Sequence, residues 1–210
     1  MNKENFKNLY TSRHTVRKFL PDLIPTEDIK YMIDSARLAP SGQNFQQWHF
    51  IAIRNKEVLS QMAEIVDKKL KELYKQIKDD EVIKKIESFK FYYLFFKDAP
   101  LVIAVLGYQT KTFLSEILEN YNIEFTHGEL VDPDIFSLGA AIENILLAAT
   151  VLGYGSAWII GPLRFQKELE KIINIKPPFR LVSLIAIGKP AKKNNGPNKK
   201  SIEEILTFID

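Results

Sequence analysis

Arg13, His14, Arg17 and Lys18 stand within one eight-residue stretch, S-R-H-T-V-R-K-F. A run of charge is most often a solvated face. Val16 and Phe19, however, pin this segment inward, so part of the positive charge is held in place. A second stretch, L-A-P-S-G-Q-N-F-Q-Q-W-H-F from Leu38 to Phe50, is chemically different. Its serine, glutamine and asparagine side chains carry donors and acceptors without charge. Such groups can read the edge of a heterocycle, and turn formation is the plainer use of the same residues.

Common catalytic signatures are missing. Gly153 and Gly155 have no third glycine where a dinucleotide fingerprint needs one, and no phosphate-cradling G-x-x-x-x-G-K-[ST] occurs. Neither G-x-S-x-G nor H-E-x-x-H is found. His14, His49 and His127 lie far apart and match no zinc spacing, so no metal is expected. The chain has no cysteine, which removes thiolate chemistry and a disulfide framework. With so little chemistry in the side chains, a bound organic cofactor is the natural agent.

The elements that must position these residues follow from pattern. Asp132, Pro133 and Asp134 begin a helix that runs to Leu152 and stops at Gly153. Its apolar residues cover the whole circumference, so burial on every side is expected. Glu143 and Asn144 interrupt it too much for a membrane span, while Gly139, Ala140, Ala141, Ala148 and Ala149 invite a close neighbour, in the core or on a second subunit. A short amphipathic helix is predicted over Lys3 to Thr11. A second helix, capped by Thr26, ends by Pro40. Strands are predicted at Trp48 to Ile53, at the L-V-I-A-V-L-G run and at Arg180 to Ile187, and Ala157 to Ile160 reads as a short apolar segment after a turn. Lys56 to Lys97 reads as helical with a break at Asp79 and Asp80, its aromatic stripe going to core or subunit contact before ligand lining. Phe165 to Ile173 is another helix. Tyr108 to Leu130 has no clear stop signal and reads as an excursion that covers a site. The C-terminal end, amphipathic at Ile202, Ile205, Leu206 and Phe208, needs a surface to dock on.

A length of 210 residues fits one domain spanning 1–210. A net charge of +3 is too small to argue for nucleic acid or a membrane surface. The N-terminus has no apolar signal region, so a cytoplasmic location is expected.

Four places in order, S-R-H-T-V-R-K-F, A-P-S-G-Q-N-F-Q-Q-W, G-Y-G-S-A-W-I-I-G-P and L-I-A-I-G-K-P, resemble the FMN-dependent nitroreductase family. The resemblance implies an α+β, nitroreductase-like fold with a central mixed or antiparallel sheet flanked by helices. It also implies a domain-swapped homodimer with two FMN sites at the subunit interface. By the same resemblance Arg13 falls on the FMN phosphate, and His14 and Thr15 on the ribityl chain or phosphate. Arg17 falls at the N1/C2 edge of the ring. Pro40, Ser41, Gly42, Asn44 and Gln46 match the loop that approaches the flavin, with the proline-serine part supplied by the partner chain. Ile160 and Gly161 match main-chain contacts to N5 and the pyrimidine edge, and Lys199, with Lys200 beside it, matches a phosphate cation. Gln47 stands where the family usually has proline before the tryptophan.

The implied reaction is transfer of hydride from NADH or NADPH through flavin N5 to a nitroaromatic, quinone or similar acceptor, in two half-reactions and with no obligate catalytic side chain. Same-fold alternatives are reductive dehalogenation and oxygen-dependent flavin chemistry. A flavin-binding module for sensing is a lesser one.

Overall fold

Most helices begin where a short polar side chain can satisfy the first free amides. The computed structural model describes residues 2–123, 132–192 and 196–209. Asn2 caps α1 (Lys3–Ser12), Asn55 caps α3 (Lys56–Tyr74) and Asp79 caps α4 (Asp80–Phe89). Thr112 caps α6 (Phe113–Asn120) and Asp132 caps α7 (Pro133–Val151). The helix α2 (Thr26–Arg37) corrects an expectation, because Thr26 is its first residue and Pro25 holds the cap position without a side-chain bond. The remaining helices are α5 (Phe91–Leu94) and α8 (Gln166–Ile172), the latter entered through a 3-10 turn over Gly161–Phe165.

Four strands, β1 (Trp48–Ile53), β2 (Leu101–Gly107), β3 (Gly155–Ile159) and β4 (Arg180–Gly188), form one sheet in the order β1-β2-β4-β3. Every pairing is antiparallel. The sheet is covered on both faces, which is why β2 is an unbroken apolar run rather than an alternating one. Leu101, Ile103 and Val105 enter a core with α2 and α7. Val102, Ala104 and Leu106 point the other way, into a core with α3, α8 and Phe96.

The expected α+β fold and antiparallel sheet are thus present. The region 56–97 is not one helical run: besides the break before Asp80, Phe95–Asp98 tightens into a 3-10 turn that feeds β2. Within the excursion, α6 is a capped helix that composition did not reveal, and residues 124–131, including His127, lie outside the described residues. On this single chain α7 is not buried all round, since Ile135, Phe136 and Val151 are exposed near its ends. By length and composition it is the one helix among the described residues apolar enough to cross a membrane. Its middle, however, packs into the α2 core through Leu138, Ile142 and Ile145. The C-terminal residues Ile202, Ile205, Leu206 and Phe208 lie in and around one turn, not a helix, and stay exposed.

Candidate functional site

The cationic stretch follows α1 and lies along β3, the outer strand of the sheet. Thr15 makes a parallel bridge to Ser156, and the Val16 amide donates to the Ser156 carbonyl at 2.9 Å. Further along, Leu20 N–H donates to the Lys189 carbonyl and Ala191 N–H to the Lys18 carbonyl, which clasps the segment to the end of β4 as well. Gly155 permits this approach. A Cβ there would lie 2.5 Å from Val16 Cγ2 and 2.7 Å from Val16 Cβ, closer than packed atoms tolerate.

With the backbone fixed, the side chains sort themselves. Arg13 Nε lies 3.6 Å from Glu143 Oε1 on α7, an ion pair too long to be a hydrogen bond. It engages only one edge of the guanidinium and leaves the two terminal nitrogens for another anion. His14 Nδ1 sits 2.9 Å from the Ser12 carbonyl oxygen, which makes Nδ1 the donor and Nε2 an acceptor in the neutral ring. His14 Nε2 and Ser156 Oγ are both buried without a hydrogen-bond partner among the described residues. A buried polar atom left unpaired costs about 1–3 kcal/mol, so two beside one bridge mark a place where a polar ligand is met. The phosphate of FMN fits the guanidinium and hydroxyl donors, and a ribityl hydroxyl fits the acceptor His14 Nε2. The tail approaches too: a Cβ on Gly196 would lie 3.3 Å from His14 Cβ. Lys199 and Lys200 follow three and four residues later, both exposed.

The Glu143 carboxyl is pushed above the usual range by burial, with Arg13 pulling the other way. A carboxyl whose folded pKa is raised favours the folded state at low pH, and that contribution is lost as pH rises through the folded value. Glu143→Gln, which carries no charge to desolvate, is therefore expected to melt above the wild type at pH 7–8. The gap closes as the pH falls below about 4.3, the ordinary glutamate value, and thermal melts across that range check it.

The ring-end residues are gathered by α5, which the sequence reading had assigned first to core. The Arg17 guanidinium lies 5.1 Å from the centroid of the Tyr92 ring, and a Cβ on Gly161 would lie 3.1 Å from Tyr93 Cε1. Adjacent tyrosines thus locate Arg17 and the Ile160–Gly161 main chain relative to one another. Ile160 is exposed, as a residue used only through its backbone can be.

The amide loop stands apart. Ser41 Oγ accepts from the Gln46 amide at 3.0 Å, and Gln43, Asn44 and Gln46 all have positive φ, between 48° and 57°. No hydrogen bond among the described residues joins Pro40, Ser41, Gly42, Asn44 or Gln46 to the Arg13–Arg17 segment. The residues that sequence reasoning missed are Glu143, noted only as an interruption of an apolar helix, and Ser156, Tyr92 and Tyr93. A lone carboxylate inside such a helix was the available signal for the first.

A single antiparallel sheet between helical layers, with a cationic arm and unpaired buried polar atoms at its edge, defines a small α+β protein with polar groups free to meet an anionic group. The chain belongs to the Nitroreductase family, whose model matches residues 10–189. It is 32% identical to a BluB-like flavoprotein from Clostridium difficile 630, over 98% of this chain and 99% of that one, with a TM-score of 0.87. An iodotyrosine deiodinase from Thermotoga neapolitana is 26% identical, over 96% of this chain and 97% of its own length. An oxygen-insensitive NADPH nitroreductase from Helicobacter acinonychis is 25% identical, over 100% of this chain and 99% of its own.

Proposed function

We propose that the protein is an FMN-dependent oxidoreductase that takes electrons from NADH or NADPH and passes them to a nitroaromatic, quinone or similar small acceptor in two successive half-reactions. The observation that carries this reading is the buried, unpartnered His14 Nε2 beside Arg13 and the Thr15–Ser156 bridge, in a chain of this family. Bound FMN would supply the two-electron chemistry. Arg13 and Thr15, with Lys199 or Lys200, hold the phosphate end, and His14 Nε2 accepts from a ribityl hydroxyl, which orients the cofactor. Arg17, steadied on Tyr92, faces the pyrimidine edge, where a fixed cation favours added negative charge. Ile160 and Gly161 offer main-chain N–H groups, so no side chain is needed as an obligate acid or base.

The reading includes a homodimer. The loop from Pro40 to Gln46 makes no hydrogen bond to the arm of its own chain among the described residues, and in this reading it serves the arm of a second copy. Phe136 at 60% exposure and Phe208 at 77% are apolar surface that a second copy can cover. Purified protein should be yellow, release FMN on denaturation, sediment as a dimer and be bleached anaerobically by NADH or NADPH. Colourless protein that refuses added FMN would remove the reading; flavin that neither nucleotide reduces would remove the choice of donor.

Reductive dehalogenation is the second reading, supported by the near full-length similarity to the deiodinase. A panel pairing a nitroaromatic, a quinone and a 3-halotyrosine separates the two.

A further inference from the structure

The ladder between β1 and β2 ends at Trp48↔Gly107. Beyond that pair two segments of different purpose leave the sheet side by side. Backwards from Gln47 runs the loop with three left-handed residues. Forwards from Tyr108 runs the excursion with α6, which presents Phe113, Leu114, Tyr121 and Ile123 to solvent. Where main-chain pairing stops, one carboxylate takes over. Asp134 Oδ1 accepts from Gln47 Nε2 at 3.0 Å and from Thr110 Oγ1 at 2.7 Å, and Oδ2 accepts from the Thr110 amide at 2.8 Å. Gln47 is 1% exposed and Asp134 is fixed in the first turn of α7, so the knot is sheltered and anchored on the core helix. Left-handed backbone at non-glycine residues is costly and persists where its surroundings over-determine it. Ser41 secures one end of that loop and Gln47 the other.

We propose that Asp134 is a positioning residue that sets acceptor selectivity by fixing the start of the 110–123 segment against the loop carrying Ser41, Asn44 and Gln46. The inference rests on the flavoenzyme reading, in which that loop meets the cofactor and the excursion meets the acceptor. Neither Asp134 nor Thr110 touches the cofactor; each acts through the segment it holds.

Three substitutions test this: Asp134→Asn, which leaves one acceptor oxygen, Thr110→Val, which keeps shape and main-chain donation, and Gln47→Leu. Each FMN-loaded variant is reduced with dithionite and mixed anaerobically with a small quinone or a bulky nitroaromatic, and the ratio of the two second-order rate constants is read. That ratio is expected to shift by about fivefold or more in Asp134→Asn and Thr110→Val, while the Kd for FMN stays within about twofold in Thr110→Val, which leaves the Gln47–Asp134 bond in place. A residue that only stabilises the fold would lower the melting temperature and leave the ratio alone. Ratios within twofold of wild type in all three variants overturn the inference. If Asp134→Asn does not fold, the other two variants decide. Wild-type protein that binds no FMN, or whose reduced flavin serves neither acceptor, removes the flavoenzyme reading and this inference with it; wild-type turnover with unmoved ratios removes the inference alone.

Discussion

Arg13→Ala is expected to weaken FMN binding by about ten- to 150-fold, the equivalent of one charge-assisted hydrogen bond worth roughly 1.5–3 kcal/mol. Arg13 is held between the end of α1, where its amide donates to the Leu9 carbonyl, and the backbone clasp that starts at Val16, and its only carboxylate partner among the described residues is Glu143 at 3.6 Å. That pair is partly open to water, so its loss should change stability by no more than about 1 kcal/mol. The variant therefore separates cofactor binding from folding: melting of the apoprotein stays near wild type while flavin is released. Arg13→Lys restores charge without the fork and should recover only part of the affinity. Titration of apoprotein with FMN, followed by quenching of flavin fluorescence, gives the Kd directly. An unchanged value in Arg13→Ala would take this residue out of the site.

Gly155→Ala should do what Arg13→Ala does not, and damage fold and site together. The new methyl would fall 2.5, 2.7 and 3.0 Å from three atoms of Val16, all close to the main chain and unable to swing away. Overpacking of this kind costs about 1–3 kcal/mol, which lowers the melting temperature by roughly 2–4 °C per kcal/mol in a domain of this size. Because Val16 is the anchor of the arm, its displacement also moves Arg13, His14 and Thr15. Loss of FMN affinity is expected on top of the lost stability. Gly42→Ala is the matched control for the melting measurement, since nothing lies within 4 Å of a Cβ there. Equal melting of the two apoproteins would contradict the close packing of Val16 against β3.

Those two residues also show what could be read beforehand. Arg13 was visible because a guanidinium beside an inward-pinned valine is a local signal. The close approach at Gly155 pairs residues 139 positions apart, and no local pattern reports it. Strands were the easiest elements: β1 lies at Trp48–Ile53 as the apolar pattern indicates, and β4 extends the reading only by Gly188. β3 (Gly155–Ile159) reads from the sequence only as a short apolar segment from Ala157, because Gly155 and Ser156 look like a turn until a neighbouring arm supplies their partners. The helix α6 was missed since Phe113 and Leu114 face outward, which reverses the usual relation between hydrophobicity and burial. The role of α5 was hidden for a similar reason. An aromatic stripe reads as core, yet Tyr92 is half exposed beneath Arg17. Of the candidate site, charges and amides were legible, and the atoms that tie them to the scaffold were not.

The clasp on the arm is made of main-chain atoms: Val16 to Ser156, Leu20 to Lys189 and Ala191 to Lys18. Any amino acid other than proline at those donor positions can keep such bonds. The four side chains at 13, 14, 15 and 17 are in that sense interchangeable cargo on a fixed rail. Descendants of one ancestor could exchange them freely, diverging in chemistry while the sheet beneath stayed the same.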